Sequence, residues 1–183
     1  MLCSIDYKTR GFSMIKKIAT VCIFVLLGNT VHAEISSSDT FVGVEIASTE
    51  VQGEQPSMTS DSVSFGLRVG AQNEEWRTII GFNFYDKNEY SVEKLYLSVD
   101  YLFMNYDLLE DVTFQPYIGA NFGYANYEQG AIDENGMTYG GQMGVIFHMM
   151  KRFDVDLGYR YMLSSADSFD HESNLFLGFH YYY

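Results

Sequence analysis

The stretch SNLFLGFHYYY, residues Ser173 to Tyr183, shows most directly what kind of fold this chain adopts. Every second position from Leu175 to Tyr183 is apolar or aromatic, and the positions between are small, polar or mixed. A β-strand places these two sets on opposite faces. A soluble sheet rarely puts its most hydrophobic segment at a chain terminus, because termini tend to fray in water. A transmembrane barrel, in contrast, requires this pattern in each of its strands.

The same alternation recurs seven more times upstream, with no helical segment between the repeats. Alternating segments of about ten residues are the sequence signature of a transmembrane β-barrel. The sequence therefore predicts an all-β fold, an eight-stranded antiparallel up-and-down transmembrane β-barrel. The predicted strands are Thr40–Ser48, Ser62–Gln72, Trp76–Tyr85, Lys94–Met104, Thr113–Ala125, Met137–Met149, Phe153–Leu163 and Ser173–Tyr183.

Alternation alone does not tell the inside of a barrel from the outside. The alternative is a soluble barrel of lipocalin type, with an apolar interior and a polar exterior. The less apolar face is rich in glycine and carries a small number of charges, which suits a narrow, crowded lumen better than a water-covered surface. We expect these lumen charges to pair across the barrel: Glu45, Arg68, Arg77, Asp100, Asp156 and Arg160, with Asp154 on the same face.

The connections alternate in length. Short turns follow predicted strands two, four and six, and longer polar loops follow the others, including Asp86–Glu93 and residues 126–136. Outer-membrane barrels have short periplasmic turns and longer extracellular loops. We therefore expect four mobile, acidic extracellular loops. Aromatic residues at the two ends of the outer face would form the membrane-interface girdles: Trp76, Phe103, Phe114, Phe147, Phe153 and Tyr183 at the turn end, and Phe84, Tyr124, Tyr139 and Tyr161 at the loop end.

The amino-terminal region has the pattern of an export signal. A basic segment begins at Met14, an apolar run follows, and Val31 and Ala33 fit an A-x-A-like cleavage site. We interpret residues 14–33 as a signal peptide, residues 1–13 as a mis-assigned upstream start, and residues 34–183 as the barrel domain. The apolar run is shorter than the roughly 20 residues that a membrane-spanning helix requires.

The composition of the chain excludes some kinds of site and partner. Both cysteines, Cys3 and Cys22, precede the predicted cleavage site, so we expect neither thiol nor disulfide in the mature chain. Removal of residues 1–33 would leave 7 basic against 23 acidic residues. Such an acidic chain is a poor candidate for nucleic-acid binding. We predict no cofactor.

The segment Gly158-Tyr159-Arg160-Tyr161, followed by the aromatic final strand, resembles the opacity/OmpA-like superfamily of small outer-membrane barrels. The resemblance implies an eight-stranded barrel in a Gram-negative outer membrane, and we expect no peptidoglycan-binding domain after it. It also implies that the final strand is the signal that the barrel-assembly machinery reads; the matching residues are Leu175, Leu177, Phe179, Tyr181 and Tyr183.

A second resemblance concerns chemistry. The segment His171-Glu172-Ser173-Asn174 is similar to the catalytic segment of the outer-membrane lipid A deacylases. It implies His171 as base and Ser173 as nucleophile, two residues apart on one strand face. That family carries an acidic residue downstream, and none follows Glu172 here, so Asp167 or Asp170 would have to substitute. We therefore predict that the chain is not an enzyme.

Two further groups of residues could bind metal ions. The acidic segment Asp133-Glu134-Asn135-Gly136, like Asp167, Asp170 and Glu172, offers the oxygen ligands that calcium and magnesium prefer, but its spacing matches no calcium loop. His148 and His180 lie on the lumen face without a third ligand, so we expect hydrogen bonding there and no metal.

These observations predict a monomeric, non-enzymatic integral outer-membrane protein with an envelope-structural or surface-interaction role, whose partners are outer-membrane lipid and lipopolysaccharide. A narrow porin-like conduit for small solutes is the alternative, and it would require a continuous water path through the lumen.

Overall fold

The computed structural model describes residues 39–53, 60–87, 90–109, 112–129, 132–166 and 169–183. The predicted upstream segment 1–13 and signal peptide 14–33 lie outside these residues. Among the described residues, no helix is long and apolar enough to cross a membrane. The strands are β1 (Asp39–Gly53), β2 (Ser60–Gln72), β3 (Trp76–Lys87), β4 (Tyr90–Leu102), β5 (Tyr106–Leu109), β6 (Val112–Gln129), β7 (Ile132–Met150), β8 (Phe153–Ser164) and β9 (Phe169–Tyr182).

Eight of these strands form a closed antiparallel barrel. Each pairs with its neighbours in sequence, β1 also pairs with β9, and the pairing of β4 with β6 completes the ring. Strand β5 is an addition that pairs only with the first residues of β6. The predicted fold class is confirmed. We call the end that holds residues 73–75, 151–152 and the chain end at Tyr183 the terminal end, and the opposite end the hairpin end.

Side chains alternate along the strands as the sequence pattern requires. Strand β8 shows the rule: Asp154, Asp156, Gly158 and Arg160 are buried, and Leu157 between them is exposed. Across the middle of the barrel the outward set is apolar, and the inward set is mixed, with charged and polar side chains packed among buried aromatic and aliphatic ones. The alternative arrangement, an apolar interior with a polar exterior, therefore does not describe this part of the barrel.

Two of the predicted loops are wrong. Asp86–Glu93 and residues 126–136 were expected to be irregular, but paired strands continue almost to the tips of both hairpins. Ladder hydrogen bonds satisfy the backbone there, and the inward side chains Tyr85, Val92 and Tyr127 are buried. Residues 86–87, 90–93, 126–129 and 132–136 are therefore paired strand and not loop.

The predicted strand end at Met104 is also wrong. Strand β4 ends at Leu102, and the chain forms the short strand β5 within the predicted turn. The side-chain amide of Gln115 donates hydrogen bonds to the carbonyl of Phe103, at 2.9 Å, and to that of Glu74, at 3.3 Å. These bonds occupy the gap where the two strands part, so the ladder resumes only at Tyr106, opposite Phe114.

Glycine on the lumen face makes room for large inward rings. A Cβ atom at Gly81 would collide with the ring of Tyr96, and one at Gly158 would collide with the ring of Phe176 and the hydroxyl of Tyr117. Because these three rings lie at the centre of the lumen, their neighbours on the adjacent strands must lack side chains.

Candidate functional site: the filled lumen

Seven buried side chains form a continuous ring of contacts across the middle of the lumen. Each contacts the next, in the order given, and the last contacts the first; every member is at most 3% exposed. We call this set the lumen ring: Arg160, Glu45, Arg68, Asp156, Arg77, Asp100 and Gln142.

The Glu45 carboxylate is the most heavily bonded acceptor of the ring. Arg160 donates to both of its oxygens, at 3.3 and 3.1 Å, and Arg68 pairs with it from the neighbouring strand. Asn83 donates at 2.6 Å, and the hydroxyl of Tyr96 lies 3.4 Å away. A buried carboxylate needs such saturation, because leaving its lone pairs unmet in a low-dielectric interior is costly.

Asp156 and Asp100 continue the ring. One oxygen of Asp156 accepts from Arg68, at 3.0 Å, and from Arg77, at 3.1 Å, while the other accepts from the Tyr117 hydroxyl at 2.8 Å. Asp100 accepts from Arg77 Nε at 2.8 Å and from an amide donor at 2.6 Å, which is Gln142. The amide oxygen of Gln142 in turn accepts from Arg160 Nε at 3.0 Å.

Aromatic rings cover the faces of the three guanidinium groups. Arg68 and Arg160 lie 4.4 and 4.7 Å from the ring centre of Phe176. Arg160 also lies 4.2 Å from Tyr96, and Arg77 lies 4.3 Å from Tyr117. Such cation–π contacts are strongest where water is excluded. With Tyr117 from β6 and Phe176 from β9, all eight barrel strands contribute to this layer.

A second polar layer lies toward the hairpin end. Lys94 donates to Glu172 at 2.5 Å, and Asn174 donates to the same oxygen at 2.7 Å. Thr49 donates to Asn174 at 2.6 Å and shares a hydrogen bond of 2.7 Å with Ser64. A cavity of only about 10 Å³ lies beside these residues, which is about the room that one water molecule requires.

Above this layer the interior becomes apolar. We call the buried cluster there the hairpin-end cap: Val51, Tyr85, Val92, Ala125, Tyr127 and Phe169. The rings of Tyr127 and Phe169 are stacked 4.3 Å apart. Burial is the main reason that the pKa of Tyr127 is raised, so its hydroxyl stays neutral. The cap closes the lumen with contacts that do not depend on charge.

The terminal end is more open. A polar cavity of about 330 Å³ lies there, lined by Asp39, Gln72, Asn73, Glu74, Asn105, Gln115, His148 and Tyr182. His148 lies 2.9 Å from Asp154 and 3.3 Å from the side-chain oxygen of Gln115. His180 is fully buried between the ring of Phe41 and the Arg68 guanidinium. Within the described part of the chain, no group of three or more His, Cys, Asp or Glu residues could hold a metal ion.

All six lumen charges named from the sequence belong to the lumen ring. Gln142 as a ring member and the Lys94–Glu172 pair were not predicted. Lys94 was expected at the start of a strand, and Glu172 was expected in a loop. The alternation along the strands could have identified this pair. Lys94 lies two residues before inward Tyr96, and Glu172 lies two residues before inward Asn174, so both have the inward parity.

The candidate catalytic residues lie elsewhere. His171 and Ser173 are on the outer face of β9, as their spacing predicts. The Nδ1 atom of His171 lies 3.2 Å from the carboxylate of Asp170, and its ring lies 5.1 Å from that of Tyr161. Among the described residues, no hydrogen bond joins Ser173 to His171. Asp167 lies outside the described residues, as does the side chain of Asp133.

The expected interface aromatics lie on the outer surface. At the terminal end Trp76, Tyr101 and Phe103 form edge-to-face contacts, with ring centres 5.2 and 5.5 Å apart. At the other end Phe84 lies 6.1 Å from Phe65. The residues named as the assembly signal, from Leu175 to Tyr183, lie on the outward face of β9 and just beyond it.

Comparisons with solved structures identify the fold. The chain is similar to the crystal structure of Neisserial surface protein A, with 14% identity and a TM-score of 0.60 over 81% of this chain and 100% of that one. It is also similar to outer membrane protein H (OprH) from P. aeruginosa, with 20% identity and a TM-score of 0.58 over 79% and 99%. No protein-family model matches the sequence, and no curated protein does. The expected small outer-membrane barrel is confirmed at the level of the fold.

Proposed function

We propose that this chain is a closed, non-enzymatic outer-membrane barrel that acts through its surfaces, in envelope stabilisation or surface interaction. The observation that carries the proposal is the filled lumen. The lumen ring, the Lys94–Glu172 layer and the hairpin-end cap occupy successive levels of the interior. An eight-stranded barrel encloses only enough space for such side chains. What the protein does to its surroundings must therefore happen on its outer face or at its ends.

The proposed location is the outer membrane of a Gram-negative bacterium, reached after cleavage of the signal peptide. The fold of the similar solved structures supports this location, as does the alternating aromatic strand that ends the barrel. The proposed partners are outer-membrane lipid and lipopolysaccharide, with the barrel-assembly machinery during biogenesis. The apolar outward face would be covered by lipid, so the barrel can be monomeric.

A conduit for small solutes finds less support. The ring contains three arginines and three carboxylates, so moving any one of them out would leave one buried charge uncompensated. Breaking a buried pair in this way costs about 3–5 kcal/mol. A water path would have to break such pairs and also displace the cap.

A lipid A deacylase-like enzyme is likewise not the proposal. In its favour, His171 and Ser173 share a face and Asp170 lies beside His171. Against it, the base and the nucleophile are not hydrogen-bonded to each other. Mass spectrometry of lipid A from cells that express the protein tests this directly. We expect unchanged acylation, and loss of acyl chains that His171→Ala abolishes would overturn the non-enzymatic proposal.

The main test is conductance of refolded residues 34–183 in a planar bilayer, beside the Arg68→Ala and Arg160→Ala variants. A heat-modifiable shift on gels would verify that each sample is folded. We expect no current steps from any of the three, because the cap closes the lumen independently of the ring. Discrete steps from the unaltered protein would contradict closure. Steps from an arginine variant alone would mean that the ring, and not the cap, is the seal.

A further inference from the structure

Strand β5 and the residues just before it form an exposed apolar ribbon at the terminal end. All four residues of β5 are exposed. Met104 is 76% exposed, Leu108 54% and Leu109 68%. Exposed apolar side chains in such a concentration mark an interaction surface. We call residues 103–109 and 112–114 the terminal hairpin.

The strand register shows on which side of this hairpin its paired side chains lie. Tyr106 is opposite Phe114, and Leu109 is opposite Val112, and both partners have the parity of the outward residues of β6. The Tyr106 and Phe114 rings are stacked 5.3 Å apart. Asp107 is opposite Thr113, which has the inward parity. Tyr106 and Leu109 therefore continue the outer face of the barrel, and Asp107 lies on the other side of the ribbon; the register shifts between Asp107 and Leu109.

The height of the hairpin follows from strand geometry. Outward residues of β6 are apolar from Phe114 to Tyr124, which are ten residues apart. At about 3.3 Å per residue and a tilt of about 40°, this span corresponds to about 25 Å, the height of the apolar band of outer-membrane barrels. Phe114 thus marks the lower edge of that band. Leu109, opposite Val112, lies only about 5 Å lower, within the headgroup layer.

The hairpin is also continuous with the aromatic girdle. The ring of Tyr101 contacts those of Trp76 and Phe103, and Phe103 leads directly into Met104 and the hairpin. Aromatic rings of this kind prefer the membrane–water interface. The apolar surface therefore runs without interruption from the lipid-facing wall into the ribbon.

The hairpin adjoins the aromatic girdle, its paired apolar residues have the outward parity, and it lies at the height of the headgroup layer. We therefore propose that the terminal hairpin is an interfacial membrane anchor. Its outward residues Tyr106 and Leu109, with the exposed Leu108 between Asp107 and Leu109, insert into the boundary between headgroups and acyl chains of the inner leaflet, and the occupant of this surface is lipid. The anchor fixes the vertical position of the barrel on one side only. The inference rests on the membrane placement of the barrel.

The test uses tryptophan fluorescence, because the chain contains a single tryptophan. In a Trp76→Phe background, Leu109→Trp places the probe in the hairpin. Phe122→Trp is the control for the middle of the apolar band, and Asn135→Trp is the control for the water-exposed hairpin end. Each variant is refolded into phosphatidylcholine vesicles with bromine atoms either near the headgroup end or near the methyl end of the acyl chains.

We expect Leu109→Trp to emit at shorter wavelength than Asn135→Trp and to be quenched severalfold more by shallow than by deep bromines. Phe122→Trp should show the opposite depth preference. Water-like, unquenched emission from Leu109→Trp beside a quenched Phe122→Trp would overturn the anchor alone, and would point to a protein partner. Unquenched emission from both would overturn the membrane placement itself. Quenching that disappears as the protein-to-lipid ratio rises would assign the surface to a second copy of the chain and would also refute the anchor.

Discussion

The middle of the barrel and its hairpin end are built from the same strands with opposite polarity. In the middle, outward residues such as Leu97 and Phe122 are apolar, and inward residues such as Asp100 and Arg160 are charged. Beyond Phe84 and Tyr124 the inward residues form the apolar cap, while outward positions carry carboxylates, including Glu93 and Glu128.

The two regions differ because their surroundings differ. Lipid requires an apolar exterior and leaves the polar groups to satisfy one another inside. Water reverses the requirement, so the extension above the girdle has an apolar core like that of a soluble protein. A period of two identifies the two faces in both regions. Whether lipid or water surrounds the strands decides which of the two faces is apolar.

The layer between the two regions should be the most sensitive to a single change. Lys94→Met leaves Glu172 buried without its cation, and we expect the free energy of unfolding to fall by about 3–5 kcal/mol. The double variant Lys94→Met/Glu172→Gln should recover most of this loss, because neither residue is then charged. Urea titration of the refolded barrel in lipid vesicles measures both. If the double variant is no more stable than the single one, the cost of Lys94→Met does not come from the unpaired charge of Glu172.

The polarity of the outer face can be tested with one charge placed at two heights. Leu97→Arg puts a cation in the middle of the apolar band and should cost about 2–4 kcal/mol. Glu128→Arg makes a charge reversal on the outer face of the hairpin extension and should change stability by less than about 0.5 kcal/mol. The same unfolding titration compares them. Equal costs at the two positions would remove the boundary between the regions.

A smaller effect is expected inside the cap. Val92→Ala removes two buried carbon atoms, which should cost about 1.5–2 kcal/mol. Hydrogen exchange should accelerate at the amides of the β3–β4 and β6–β7 hairpins and stay unchanged in the middle of the barrel. Equally increased exchange throughout would mean that the cap and the lumen ring unfold as one unit.

The smallest effect concerns Glu93 on the outer face of the extension. Partial burial, and then the nearby Glu128, raise the pKa of Glu93. An acid whose pKa is raised on folding loses stability as pH rises through its unfolded pKa, because the unfolded chain ionises first. Glu93→Gln should therefore stabilise the protein near neutral pH by about 0.3 kcal/mol and leave it unchanged well below pH 4.5. An equal gain at both pH values would exclude ionisation as its cause.

Much of the fold could be predicted because lipid-facing strands obey a strict rule. The outward parity of residues such as Leu157 and Phe122 follows from alternation alone, and so does the inward parity of Arg68 and Arg160. The hairpins at Asp86–Glu93 and 126–136 could not be predicted in the same way. Their outward residues are polar. A search for strands with apolar outer positions therefore does not extend beyond the part of the barrel that lipid surrounds.

The charged members of the lumen ring were predictable, but their order was not. Parity places Glu45 and Arg160 on the same interior surface, but it does not say which cation meets which carboxylate. That depends on strand tilt and shear, which set the heights at which distant strands meet. Strand β5 was missed for a different reason. The chain between β4 and β5 is bonded to the side chain of Gln115, whose contacts with Phe103 and Glu74 no local pattern reveals.

A cysteine scan along the outward face of β6 tests the central claim most directly, because residues 34–183 contain no cysteine. Intact vesicles holding variants with a single cysteine would be treated with a membrane-impermeant maleimide; the positions are Ile118, Phe122, Asn126 and Glu128. Labelling at each position would be compared before and after detergent solubilisation. We predict protection at Ile118 and Phe122 and rapid labelling at Asn126 and Glu128. Labelling at all four positions would mean that water surrounds the barrel. Protection that continues to Glu128 would show that polarity does not reverse at the girdle.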